Sequence, residues 1–181
     1  LESISRQVET NPNAVMQGIE EAISSLNTAI RDIRNYILDL RPQHFQGRNI
    51  VQGVEELARA LRANTFMDVF IEITDVDTNA IDPEQTVEVL HIAQEALQNV
   101  QKHAQASEVN ISLRSQNGAL ILEIIDNGIS ITPGNLQRSL GNGLVNMQER
   151  AASLEGDIVI GPILEGGTQV CLTIPLESDR P

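Results

Sequence analysis

An unbroken apolar repeat over residues 16–40 constrains the fold more than any other feature of this chain. Apolar side chains recur at alternating spacings of three and four residues, at Met16, Ile19, Ile23, Leu26, Ile30, Ile33, Ile37 and Leu40. This heptad pattern predicts a long helix that buries one side against other helices and that ends before Pro42. Packing of this helix on its own domain is the alternative, but the repeat is longer than such packing requires, so we expect self-association.

The residues around this helix predict a helical hairpin. Residues 1–10 are interpreted as the end of an earlier helix, because Asn11-Pro12-Asn13 is typical of a turn. Residues 43–49 are interpreted as a linker. We therefore expect a hairpin segment over residues 1–42 that forms a homodimer, and a separate domain over residues 50–181. Because the chain begins without Met and without a signal-peptide pattern, we also expect it to belong to a longer protein.

Beyond the linker, helical and strand patterns follow one another in the order of an α+β domain. The helical pattern predicts helices at 50–63, 83–104 and 144–154, and apolar alternation predicts strands at about 69–73, 109–113, 120–124, 157–161 and 168–174. Asp82 and Pro83 suit the N-cap and the first turn of the second helix. This order predicts a mixed sheet with helices on one face.

Charge and composition exclude several classes of function. The net charge of −13 argues against nucleic acid or an anionic membrane surface as a partner. Lys102 is the only lysine and lies outside any Gly-Lys-Ser/Thr sequence, which excludes a P-loop. Cys171 is the only cysteine, which excludes an internal disulfide and a thiolate zinc cluster and fits a cytoplasmic, reducing compartment. No apolar run approaches the roughly 20 residues of a membrane span.

The predicted helix at 83–104 carries one set of candidate functional side chains. Glu95, Asn99 and His103 are spaced four residues apart and therefore line one face of the helix. An acid, an amide and an imidazole in a row can serve as base, metal ligand and phosphate donor. Taken alone, the same spacing is also typical of a solvated helix face.

Three glycine-containing segments are the other candidates. Asp126-Asn127-Gly128 follows a strand, where a carboxylate can accept a hydrogen bond from a base amino group and a glycine permits close approach. Gly141 and Gly143 precede a helix whose N-terminal amides can bind an anion. Gly166-Gly167-Thr168 precedes the last strand. Each segment taken singly is as easily an ordinary turn, loop or helix start.

Taken together in this order, the motifs resemble one family. Residues 92–104 (Ile-Ala-Gln-Glu-Ala-Leu-Gln-Asn-Val-Gln-Lys-His-Ala) resemble the asparagine box of the ATP-binding domain of two-component sensor histidine kinases, in particular the nitrate/nitrite-sensor type. Asp126–Gly128 and residues 141–151 resemble its two glycine boxes, and Gly166–Thr168 with Thr173–Leu176 its C-terminal signature. The resemblance covers about residues 83–176. Residues 14–42 resemble the second helix of that subfamily's dimerisation and histidine-phosphotransfer hairpin.

The resemblance implies a Bergerat-type α/β sandwich that binds Mg-ATP and transfers its γ-phosphate to a histidine, for relay to an aspartate of a response regulator receiver domain. It assigns the Mg²⁺ ligand to Asn99 and makes Glu95 the catalytic base, or the group that polarises the acceptor histidine. It places His103, with Lys102, at the phosphates.

The same resemblance implies roles for the glycine boxes. Asp126 would accept the adenine amino group, Gly128 would let the base approach, and Thr168 would support Asp126. Gly141 and Gly143 would wrap the phosphates. No direct membrane contact is implied for this part of a kinase.

Two departures from the family pattern leave alternatives open. Ser130 stands where the first glycine box usually has its second glycine, which favours a degenerate, dimerising scaffold that binds a response regulator. None of His44, His91 and His103 lies in a sequence of the acceptor type, so this chain alone is not expected to phosphorylate itself. A serine kinase of the anti-sigma type shares the ATP boxes, but the Leu40-Arg-Pro42 end of the long helix argues against it.

Overall fold

The computed structural model of the protein describes Gly18, residues 47–130 and residues 143–176. The chain divides into two compact units, Leu1–His44 and Phe45–Pro181. In the first unit only Gly18 is described, and it is helical and exposed. The heptad repeat and the hairpin expected from it therefore lie outside the described residues, and the domain boundaries stay a prediction.

The second unit is built on a mixed five-stranded sheet, as the sequence predicts. The strands are β1 (Asp68–Thr74), β2 (Glu108–Gln116), β3 (Ala119–Asp126), β4 (Asp157–Pro162) and β5 (Thr168–Pro175). Their order across the sheet is β1-β2-β3-β5-β4. Only β1 and β2 run parallel, and the other three pairs are antiparallel.

The core lies on one face of this sheet. Side chains alternate between buried and less buried along the three central strands. Apart from Asp126 and Thr168 at strand ends, the buried set is aliphatic, with Val109, Ile111, Leu113, Leu120, Leu122, Ile124, Val170, Leu172 and Ile174. Three helices cover it: α1 (Ile50–Asn64), α2 (Pro83–Asn99) and α3 (Gly143–Ser153). Helix α2 contacts both α1 and α3. The predicted α+β layer arrangement is confirmed.

The helix starts follow from capping chemistry. The Asn49 side chain accepts the Gln52 N–H at 2.9 Å, and the Gln52 side chain accepts the Asn49 N–H at 3.4 Å, which forms a capping box at α1. The predicted N-cap Asp82 accepts the Glu84 N–H at 2.7 Å and precedes Pro83. None of the helices in the described part of the chain combines the length and the apolar character that a bilayer span requires.

The end of α2 differs from the regular helix that the sequence predicts. The α-helix ends at Asn99, and its last turn, Val100–Ala104, is a π-helix closed by Gln105 in the left-handed region at φ 50°. A π turn is wider than an α turn, so residues 100–104 do not follow α-helical spacing. The Ala104 carbonyl at its end accepts the Ile129 N–H at 2.7 Å.

The cap of α1 provides a test of the fold. We expect Asn49→Ala to lower the free energy of unfolding by about 1 kcal/mol, because the Gln52 N–H in the first turn of the helix loses its partner. Glu55→Ala, an exposed change inside the same helix, should stay within about 0.5 kcal/mol of the parent. Urea unfolding followed by circular dichroism measures both, and equal losses in the two variants would contradict the capping role.

Candidate functional site

The structure brings four of the residues named from the sequence into one pocket. Asn99 and His103 come from the end of α2, Asp126 from the end of β3, and Thr168 from the start of β5. The rest of the lining is mostly apolar and includes Ala96, Val100, Ile129, Leu144, Met147 and Val170. A flat, apolar ring with polar edges suits such a pocket, because a few polar groups set orientation while the walls supply burial.

Asp126 is the buried acid of this pocket, with 3% of its surface exposed. Burial raises the pKa of its carboxyl, and hydrogen bonds from the backbone N–H groups of Gly128 and Thr168 partly oppose that rise. The Gly128 N–H lies 2.8 Å from Oδ1. Both amides favour the ionised form, in which the group only accepts hydrogen bonds.

The loop after Asp126 is fixed against the end of the π turn. A Cβ on Gly128 would overlap the Ala104 carbonyl oxygen, so only glycine lets the Ile129 N–H reach that oxygen. Asn127 holds this loop, and no sequence pattern predicts that role. Its side chain accepts the N–H groups of Ser107 and Glu108, each at 3.0 Å, and donates to the Ser107 hydroxyl at 2.9 Å.

The turn before β5 closes the same end of the pocket. Gly166 and Gly167 have φ values of 91° and 104°, a region that favours glycine. A Cβ on Gly167 would overlap the backbone of Asp126, so the turn lies directly against the loop that holds the carboxylate. The Gly167 N–H donates to the Ser130 hydroxyl at 3.0 Å.

Glu95 lies beside the start of α3. A Cβ on Gly143, the first residue of that helix, would overlap Oε1 of Glu95, so the carboxylate lies against the glycine backbone. A negative charge at this position is favourable, because the first amides of a helix carry partial positive charge. The structure therefore brings together Glu95 and Gly143, while Gly141 lies outside the described residues.

The two basic residues of the π turn differ in their surroundings. Lys102 is exposed, and its ammonium donates to the Gln98 side chain at 3.3 Å, so the structure does not place it in the pocket lining. His103 lines the pocket, and burial first and the neighbouring Lys102 charge second lower the pKa of its imidazole. The neutral form is therefore favoured when no anion is near.

A metal ion would need ligands beyond the side chains of this pocket. Within residues 47–130 and 143–176, no group of three or more His, Cys, Asp and Glu side chains could hold a metal. Mg²⁺ is commonly held by one or two protein oxygens together with substrate phosphates and water. The amide oxygen of Asn99 fits that kind of site.

Comparison with known proteins identifies the domain. Residues 67–178 match the family described as histidine kinase-, DNA gyrase B- and HSP90-like ATPase. The chain belongs to this ATPase family. The ATPase domain accounts for every element from β1 to β5, and a histidine kinase ATP-binding domain is the kind that the motifs predict.

Individual relatives are sensor histidine kinases. MctS of Rhizobium johnstonii is 33% identical over 179 residues, which are 97% of this chain and 38% of MctS. LiaS of Bacillus subtilis is 32% identical over 148 residues, which are 82% of this chain and 40% of LiaS. The chain thus spans about two fifths of the length of these relatives. They confirm the histidine-kinase resemblance, while the nitrate/nitrite-sensor subfamily stays a prediction.

A solved structure supports the fold of the ATPase domain. The histidine kinase domain of the blue-light activated histidine kinase from Erythrobacter litoralis EL346 superposes with a TM-score of 0.58, at 21% identity. The match covers 71% of this chain and 62% of that one. It confirms the Bergerat-type sandwich that the resemblance implies.

Two glycines of the ATPase domain provide a paired test. Gly128→Ala should lower the free energy of unfolding by about 1–3 kcal/mol, because the new methyl group meets a backbone carbonyl that cannot rotate away. Gly143→Ala should change it by less than about 1 kcal/mol, because the Glu95 side chain can move and alanine favours the helix. Urea unfolding of both variants measures the difference, and similar losses would contradict this account.

Proposed function

We propose that this chain is the ATP-binding catalytic part of a sensor histidine kinase, which transfers the γ-phosphate of Mg-ATP to a histidine on its dimerisation domain. The observation that carries the proposal is the buried Asp126 carboxylate, held by two backbone amides at one end of an apolar pocket. A pure hydrogen-bond acceptor among aliphatic walls matches the amino group of a flat adenine ring.

The adenine end of the site is assigned to three residues. Asp126 accepts the amino group of the base. Gly128 holds the loop beside it against the Ala104 carbonyl, and the approach of the ring to the Gly128 backbone stays a prediction. Thr168 supports the carboxylate through its N–H, which accords with the hydrogen bond between them. The bulkier pocket residues exclude water from the ring.

The phosphate end is assigned to the end of α2 and the start of α3. Asn99 is the protein ligand of Mg²⁺, which when bound neutralises charge on the phosphates. His103 and Lys102 contact the phosphates, and the amides at Gly141 and Gly143 surround them. A phosphate group beside His103 would favour its charged form and so offset the lowered pKa.

Glu95 is the proposed catalytic residue. Its carboxylate acts as base, or polarises the acceptor histidine by accepting a hydrogen bond from the ring N–H that is not attacked. Either action leaves the other ring nitrogen more nucleophilic for attack on the γ-phosphate. The carboxylate lies one helical turn before Asn99, which supports a common site for base and metal.

The remaining assignments concern partners and surroundings. We propose a homodimer through residues 1–42, a response regulator receiver domain as the phosphate acceptor of the relay, and a cytoplasmic location. Sensor histidine kinases among the relatives support the first two in general terms. The scaffold alternative rests on Ser130, whose hydroxyl makes a hydrogen bond inside the site. Nothing in the described residues favours the anti-sigma alternative.

Nucleotide binding tests the adenine assignment. We expect Asp126→Asn to weaken ATP binding tenfold or more. An amide in place of the buried carboxylate leaves a hydrogen-bond mismatch with the base, and such a mismatch costs about 1–3 kcal/mol. Asp157→Asn, an exposed change of the same kind in β4, should leave the affinity at the parent value. Calorimetric titration with Mg-ATP measures all three proteins. Equal affinities of Asp126→Asn and the parent would contradict the assignment.

Phosphoryl transfer tests the separate roles of base and metal ligand. Asn99→Ala should weaken Mg-ATP binding and also stop transfer, because the metal acts throughout the reaction. Glu95→Gln should leave ATP binding nearly intact and slow transfer by roughly 10²–10⁴-fold, the usual effect of a positioned acid or base. The assay supplies the acceptor histidine on a separate hairpin of the family and measures phosphohistidine. Transfer by Glu95→Gln at the parent rate would show that Glu95 is only part of a solvated helix face.

A further inference from the structure

Ser130 is the position at which this sequence departs from the glycine expected in the first glycine box. In the structure its hydroxyl oxygen accepts the N–H of Gly167 at 3.0 Å. This hydrogen bond joins two segments that are 37 residues apart in the sequence, the loop after β3 and the turn before β5. Asp126 ends β3 directly before the first segment, and Thr168 begins β5 directly after the second.

The donor of this hydrogen bond is buried and closely confined. Gly167 is buried, and its backbone lies against that of Asp126 so closely that a side chain could not be added. Two further hydrogen bonds close the turn, from Gly166 N–H to the Ile163 carbonyl and from Ile163 N–H to the Gly167 carbonyl, each at 3.2 Å. Neither of them ties the turn to the loop after β3, whereas the Ser130 hydroxyl does.

The position of this turn determines how Asp126 is held. Thr168 donates its backbone N–H to the Asp126 carboxylate, and the orientation of that N–H is set by the Gly167 peptide before it. With two consecutive glycines at positive φ, the turn has more accessible conformations than ordinary residues would allow. A bond from the Gly167 N–H to a fixed acceptor removes that freedom next to the carboxylate.

We propose that Ser130 is a positioning residue for adenine recognition, which acts by fixing the Gly166–Thr168 turn so that the Thr168 N–H orients the Asp126 carboxylate. The proposal rests on the ATP-binding function proposed above. It assigns a role to the residue that would otherwise suggest a degenerate site. The serine hydroxyl supplies a hydrogen-bond acceptor that a glycine at this position lacks. The buried Gly167 N–H is therefore paired, which avoids the cost of leaving it without a partner.

Base selectivity is the property that tests this role. Guanine carries a carbonyl oxygen where adenine carries the amino group, so a well-oriented carboxylate favours ATP over GTP. We expect Ser130→Ala to weaken ATP binding by roughly tenfold and to reduce the preference for ATP over GTP. Ser130→Thr, which keeps the hydroxyl, should retain both properties. Inorganic tripolyphosphate, which has no base, should bind the parent and Ser130→Ala equally.

The measurements use the whole 181-residue chain with Mg²⁺, and Ser112→Ala on the opposite face of the sheet serves as the matched control. If Ser130→Ala does not fold, Ser130→Gly carries the same test, because glycine cannot clash at this position. A parent that fails to bind ATP would contradict the proposed function itself. A parent that binds ATP while Ser130→Ala or Ser130→Gly keeps its affinity and its preference over GTP would overturn the role of Ser130. Equal losses for ATP, GTP and tripolyphosphate would also overturn it, because they indicate a purely structural effect.

Discussion

The buried carboxylate of Asp126 is the constraint on which the rest of this domain depends. A charged group inside an aliphatic core is costly unless hydrogen bonds compensate it, and here two backbone N–H groups from segments far apart in the sequence offset part of that cost. Glycines let the neighbouring backbones approach closely around it, Gly128 against Ala104 and Gly167 against Asp126 itself. One acid thus lies where the end of β3, the π turn and the Gly166–Gly167 turn meet.

The two ends of the site differ in how firmly they are held. At the Asp126 end, the close approach at Gly128 is between backbone and backbone, so a change of a single atom forces the chain to move. At the Glu95 end, the close approach to Gly143 involves the tip of a flexible side chain. In the proposed kinase, the Asp126 end would recognise the base in a preorganised geometry, whereas the Glu95 carboxylate could adjust as phosphate is transferred.

The sequence predicts the layers and much of the site, because both are recorded in local patterns. Apolar alternation locates β2, β3 and β5, and Asp82-Pro83 marks the start of α2. The contacts that fix the pocket have no such signature. The bond between Ser130 and Gly167 joins residues 37 positions apart, and Asn127 reaches back 20 residues to Ser107. The π turn ends at Ala104, whose carbonyl accepts the Ile129 N–H, and propensity within the helix cannot reveal that contact.

Charge explains why a domain of this composition would depend on a metal to bind a nucleotide. The chain has a net charge of −13 and a single lysine, and that lysine is exposed and bonded to Gln98. His103 is the other basic residue proposed at the phosphates, but burial and Lys102 both lower the pKa of its imidazole, which favours its neutral form before phosphate arrives. The Glu95 carboxylate lies against the start of α3, so its negative charge offsets part of the positive potential that the helix amides offer to the proposed phosphate site. With Glu95 in that position, the proposed Mg²⁺ at Asn99 would add the positive charge that the exposed Lys102 and the partly buried His103 do not supply.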